Sequence, residues 1–170
     1  MSIGHSLKIM REQYGLTQDD VASMLNVSQQ LVSHMETGRR KMQQDIAQTS
    51  LQKFDDPVYF LDVIYELSGG YTSPVVRGKN IEWHRLALEE FAIQQAQEAI
   101  NILNEVSFVK PPGETSDAEY ERVKHVIDEL LDAEVAISNL KAILAKEYQI
   151  SLKERFQQRK PYWRAKGWIE

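Results

Sequence analysis

The sequence predicts an all-α protein of five short helices followed by a long helical hairpin, and three observations carry that reading. Apolar residues recur three or four apart along nearly the whole chain. No run alternates with the period of two that a half-buried strand needs. Glycine and proline gather at residues 69–78, at 111–113 and at Pro161, which divides the chain into helical blocks. The 170 residues, 42% apolar and 26% charged, suit one large soluble domain or two small ones.

The elements follow in order. The first helix covers 3–14 and ends at Gly15, a residue that takes the left-handed conformation of a C-terminal cap without strain. The second starts from Thr17 as N-cap, with Asp19 and Asp20 on the positive end of the helix dipole. Ser28 caps the third, which stops before Gly38. The fourth spans 44–54, and the fifth runs from Asp56-Pro57, an acidic cap and a first-turn proline, to 67. Residues 80–105 carry Leu86, Phe91, Ile93, Ala96, Ile100 and Leu103 at helical spacing. Ser116 and Glu119 have the spacing of a capping box for a helix reaching 148, with Tyr120, Val123, Ile127, Leu130, Leu131, Ile137, Leu140 and Leu144. A last helix is expected over 151–160. The expected organisation is a first domain at 1–68, a linker at 69–79, a hairpin domain at 80–160 and a basic aromatic tail at 161–170.

Composition excludes several function classes. There is no cysteine, so disulfides and thiolate metal sites are ruled out, and a reducing cytoplasm is the simplest compartment. No stretch approaches the ~18 apolar residues of a membrane span, and the N-terminus lacks the apolar core of a signal peptide. His5, His34, His84 and His125 include no His-x-x-x-His pair, so no metal site and no cofactor are expected. No phosphate-binding glycine loop or nucleophile signature is present, so the protein is not expected to be an enzyme.

The segment 15–38 is the most informative. Val21, Met24 and Leu25 form an apolar face, with Ala22 small enough for a close helix crossing. Asn26 stands at the turn, where it tolerates positive φ better than any residue but glycine. Val27, Val32 and Met35 seat the next helix in the same core, which leaves Gln29, Gln30, Ser33 and His34 outward. A helix N-terminus of this kind fits a DNA major groove, where a Gln amide pairs with both N6 and N7 of adenine. Gly15-Leu16-Thr17-Gln18, Val21-Ala22, Val27-Ser28-Gln29-Gln30 and Met35-Glu36-x-Gly38 together resemble the Cro and CI-repressor (XRE) family of helix-turn-helix proteins over residues 3–66.

That resemblance implies a lambda-repressor-like five-helix DNA-binding domain and a sequence-specific, double-stranded-DNA-binding transcriptional regulator of bacterial or phage origin, a repressor. It implies a DNA-contacting set of Thr17, Gln18, Ser28, Gln29, Gln30, Ser33, His34, Arg39, Arg40 and Lys41. Gln18 would meet a phosphate, Gln29, Gln30 and His34 the bases, and Arg39 to Lys41 the backbone. Arg11 and Glu36 match a pair that forms an internal salt bridge in the family. The chain departs from the pattern at Asn26, where glycine is usual, and at Met42-Gln43-Gln44, which replaces a proline-containing approach to the fourth helix. Asp55, Asp56 and Asp62 would have to lie away from DNA.

Charge shapes the expected binding. The net charge is −5, yet residues 1–54 hold six bases against five acids and residues 153–170 six against two. Little affinity is expected from general charge, and binding should weaken strongly with salt. Two helices with such wide apolar faces cannot hide them as a pair, so a further helix or a second subunit must cover them. A homodimer or higher homo-oligomer is expected through 80–160, with Ile93, Ile100, Leu103, Ile127, Leu130, Ile137 and Leu144 at its core. The tail interleaves Arg155, Phe156, Arg159, Lys160, Tyr162, Trp163, Arg164, Lys166 and Trp168, which suits nucleic acid and equally suits rings packed on the hairpin with their charges in water. The alternative function is a protein-interaction module, such as an antitoxin or an antirepressor-type partner, with a regulatory protein as its target.

Overall fold

The computed structural model describes residues 2–170, and every regular element among them is helical. The chain forms two compact units, one of residues up to Pro74 with Ala145–Glu170, the other Val75–Leu144. The sequence grouped 145–160 with the hairpin; the contacts group these residues with the first 74.

In the first unit, helices α1 (Ile3–Gln13), α2 (Gln18–Leu25), α3 (Gln29–Glu36), α4 (Gln44–Lys53) and α5 (Pro57–Leu67) enclose one core. It is built from residues such as Leu7, Met10, Val21, Val32, Met35, Ala47, Tyr59 and Val63. The caps read from sequence are in place: Thr17 accepts from the Asp20 amide, Ser28 from Leu31 and Asp56 from Tyr59. Gly15 (φ +66°) and Asn26 (φ 54°) take the left-handed conformation that turns the chain after α1 and α2. Met24 departs from expectation and is 38% exposed. Val21, Ala22 and Leu25 already fill one side of α2, and Met24 sits about 100° round the helix from them.

The crossing of α1 and α3 depends on a missing side chain. A Cβ on Gly4 would lie 2.0 Å from the Met35 carbonyl oxygen. Gly4→Ala must therefore force the helices apart, and we expect a loss of about 1–3 kcal/mol or more of stability. A denaturant midpoint unchanged from wild type in urea would contradict this crossing.

Within the same unit, the last turn of α7 (Asp117–Glu147) meets the loop before α5. Lys146 Nζ lies 3.2 Å from Asp56 Oδ2, and the same ammonium donates to Gln13. Asp56 thus caps α5 through one oxygen and pairs with a cation through the other. Helix α8 (Leu152–Ala165) follows, capped by Ser151. Pro161 was expected to end it and does not. A proline removes one backbone donor and crowds the carbonyl four residues back. None of α8 is buried, so water is free to satisfy that carbonyl, and the helix runs on to a stop at Gly167 (φ +68°).

The second unit pairs α6 (Arg85–Glu105) with most of α7. α6 starts five residues later than the expected 80, because His84 caps it: Nδ1 accepts from the Leu86 amide. The Ser116–Glu119 capping box forms as read. The Ser116 amide, the Lys110 ammonium and the Ser116 hydroxyl hold the Glu119 carboxyl well below the usual range. The two helices run antiparallel: the end of α6 and the start of α7 line one hollow, and Val76, ahead of α6, donates to Asn139 near the end of α7. Asn139 is fully buried and also donates to the Val135 carbonyl, which satisfies an amide the core would otherwise strand.

The buried apolar residues of this unit are mostly alanines: Leu88, Ala92 and Ala99 of α6, and Val126, Ala133, Ala136, Ala142 and Ile143 of α7. Most of the large apolar side chains are outside. All seven residues expected at an oligomer core, Ile93, Ile100, Leu103, Ile127, Leu130, Ile137 and Leu144, are exposed in the single chain, as are Leu86 and Leu131. Among the described residues no helix is long and apolar enough to cross a membrane.

Candidate nucleic-acid interface

Two short helices joined by a three-residue turn form the site. Thr17 and Asp20 close a reciprocal cap at the start of α2: the Thr17 amide donates to Asp20 Oδ2 at 2.8 Å, and the Asp20 amide to Thr17 Oγ1 at 3.1 Å. The Thr17 hydroxyl, with its amide, lowers the Asp20 pKa. Asn26 reverses the chain, the Val27 amide returns to the Ala22 carbonyl at 2.9 Å, and Ser28 opens α3. Val32, Met35 and Glu36 point inward along α3.

Behind these helices runs a chain of charged and amide groups. The Arg11 guanidinium donates to both oxygens of Glu36, from Nε at 2.6 Å and from Nη2 at 2.9 Å. Arg11 Nη1 also donates to the Leu16 carbonyl, at 3.0 Å. The Glu36 side chain is 1% exposed. Gln18 Nε2 donates to Glu36 Oε2 at 2.8 Å, and Gln29 Nε2 donates to Gln18 Oε1 at 2.6 Å. A buried ion pair therefore orients an amide at the start of α2, which orients another at the start of α3. Each link fixes a long, flexible side chain before any ligand arrives.

Residues 7–51 match the family model described as helix-turn-helix. This segment is a DNA-binding helix-turn-helix of the XRE family. No curated protein and no solved structure matches the chain.

The helix-turn-helix puts the residues read from sequence as follows. Gln29 and Gln30 are exposed on the first turn of α3, beside the exposed cap Ser28. Ser33 and His34 follow one turn on and are half-buried. Thr17 is exposed, and Gln18 is half-buried at the start of α2. Arg39, Arg40 and Lys41 are exposed immediately after α3, and the Arg40 amide is tied to α3 by its bond to the His34 carbonyl at 3.1 Å. Of the three acids that had to stand clear, Asp56 and Asp62 are buried. Gln43 caps α4 without a side-chain hydrogen bond.

The salt bridge between Arg11 and Glu36 was legible from the family pattern. Its extension through Gln18 to Gln29 was not. Those glutamines are eleven positions apart, and nothing in a periodicity reports that two helix N-termini meet.

Proposed function

We propose that the protein is a sequence-specific regulator of transcription, a repressor that occupies its promoter as a dimer or higher homo-oligomer. The observation that carries this is the exposed pair Gln29 and Gln30 on the first turn of α3, with Gln29 held from behind by Gln18 and the Arg11–Glu36 ion pair. A held amide presents a donor and an acceptor together, the pattern that adenine answers in the major groove. Arg39 to Lys41 add cations beside the helix, suited to backbone phosphate and indifferent to sequence.

Oligomerisation is supported by the second unit. Leu86, Ile93 and Ile100 on α6, and Leu130, Ile137 and Leu144 on α7, recur every seven residues and are exposed. On each helix this stripe is displaced in the same rotational sense from the buried alanines. In an antiparallel pair that places both stripes on one side. A helix pair that buries mostly alanines and leaves a stripe of large apolar residues exposed on one face suits half of a larger bundle. A second copy of the same face completes it about a two-fold axis, and two recognition helices then read two half-sites.

The test is selection of duplexes from a random pool, followed by binding to the selected sequence. Gln29→Ala and Gln30→Ala should each cost roughly 1–3 kcal/mol on that sequence and relax the base preference at one position. Arg40→Ala should weaken all sequences alike. Three variants that bind as wild type would refute the assigned surface.

A further inference from the structure

Helix α8 carries a feature that the helix-turn-helix does not use. It is a 14-residue helix with no buried residue. Helices of that length are marginal in water, and tertiary packing usually sustains them. Contacts among its own side chains help to brace α8, whose Leu152, Lys160 and Trp163 are half-buried. Phe156 and Trp163 meet edge to face at 6.0 Å, Tyr162 and Trp168 at 5.9 Å, and the Arg159 guanidinium lies 4.1 Å over the Tyr162 ring. The rings therefore do not vanish into a core; they stiffen an exposed helix.

The charges on this helix are ordered. Phe156 and Trp163, seven apart, form a ridge. Arg155 and Arg159, four apart, flank it on one side, and Lys153, Lys160 and Arg164 on the other. Glu154, Gln157 and Gln158 take another face and, with Lys153, Ser151 and Asp55, line a shallow hollow. Residues 153–170 hold six of the 20 bases and two of the 25 acids of a chain whose net charge is −5. A rigid double row of cations on an otherwise acidic protein fits a polyanion. The compact unit that carries α8 also carries the helix-turn-helix, whose own first 54 residues are almost neutral.

We infer that α8 is a second DNA-binding element, which grips duplex phosphates through Arg155, Arg159, Lys160 and Arg164 without reading sequence. It rests on the proposed regulator reading and supplies the phosphate affinity that the recognition helix lacks. Each cation that neutralises a phosphate adds about 0.9 to the slope of log affinity against log salt.

The experiment titrates full-length protein with the selected duplex and with a scrambled one, from low to moderate salt. Arg155→Ala/Arg159→Ala is compared with Lys160→Ala/Arg164→Ala and with Gln30→Ala. Arg155, Arg159, Arg164 and Gln30 are exposed and Lys160 is half-buried, and alanine is the best helix former, so circular dichroism should show a retained fold. Each double variant is expected to lower the salt slope by about 2 on both duplexes and leave their ratio unchanged. Gln30→Ala should change the ratio and leave the slope. Double variants with the wild-type slope would overturn the inference while a preserved preference for the selected duplex upheld the regulator reading. A wild type that binds both duplexes equally, with slopes still lowered by the double variants, would uphold α8 and refute sequence reading by α3.

Discussion

Arg11→Ala should lower the unfolding free energy by about 3–5 kcal/mol. The loss comes less from the contact itself than from what stays behind. Glu36 sits in α3 with its side chain 1% exposed, and both of its oxygens take charge-assisted hydrogen bonds from Arg11. Without the guanidinium, a buried carboxylate keeps one amide donor, Gln18. Arg11→Met with Glu36→Gln removes both charges and should regain most of the loss, since a neutral pair carries no stranded ion. Urea melts of the single and double variants decide the matter. If the double variant is as unstable as the single, packing by the Arg11 stem, and not charge, was the source.

Under the proposed assembly, Ile93→Asp with Ile137→Asp should leave single chains where wild type self-associates. Wild type is expected to sediment at twice its 19.6 kDa or more, and the variant at that mass. Both residues are about half exposed or more in the single chain, so aspartate there does not disturb the hairpin's own interior. Across an apolar interface the same carboxylates lose their water, which is prohibitive. Affinity for a two-half-site duplex should fall by about 10²-fold or more, because the second recognition helix is no longer tethered to the first. Affinity for one half-site should barely change. A wild type that is monomeric at micromolar concentration would end this reading, and so would a variant that still self-associates.

Local chemistry made much of this molecule legible. Thr17, Ser28 and Asp56 cap helices because a short polar side chain reaches a free amide two or three residues on, and that is written in adjacent letters. Gly15 and Asn26 marked turns for an equally local reason. The exposed first turn of α3, Gln29 and Gln30, followed from the apolar period of its other face, whereas Ser33 and His34, read as exposed, are half-buried. What escaped was long-range or unusual. The ion pair of Lys146 with Asp56, which joins the last turn of α7 to the first five helices, leaves no periodic trace. The continuation of α8 through Pro161 goes with a helix that has no buried residue, where solvent can reach the freed carbonyl. The start of α6 moved to Arg85 because a histidine, an uncommon cap, accepts from Leu86.

The division of α3 into an inward set, Val32, Met35 and Glu36, and a set that is exposed, Gln29 and Gln30, or half-buried, Ser33 and His34, has a consequence for engineering. The frame and the text are separate letters of one short helix. A library varied at positions 30, 33 and 34 leaves the Gln18–Gln29 link and the core intact, so its members should fold alike and differ in their preferred DNA sequences.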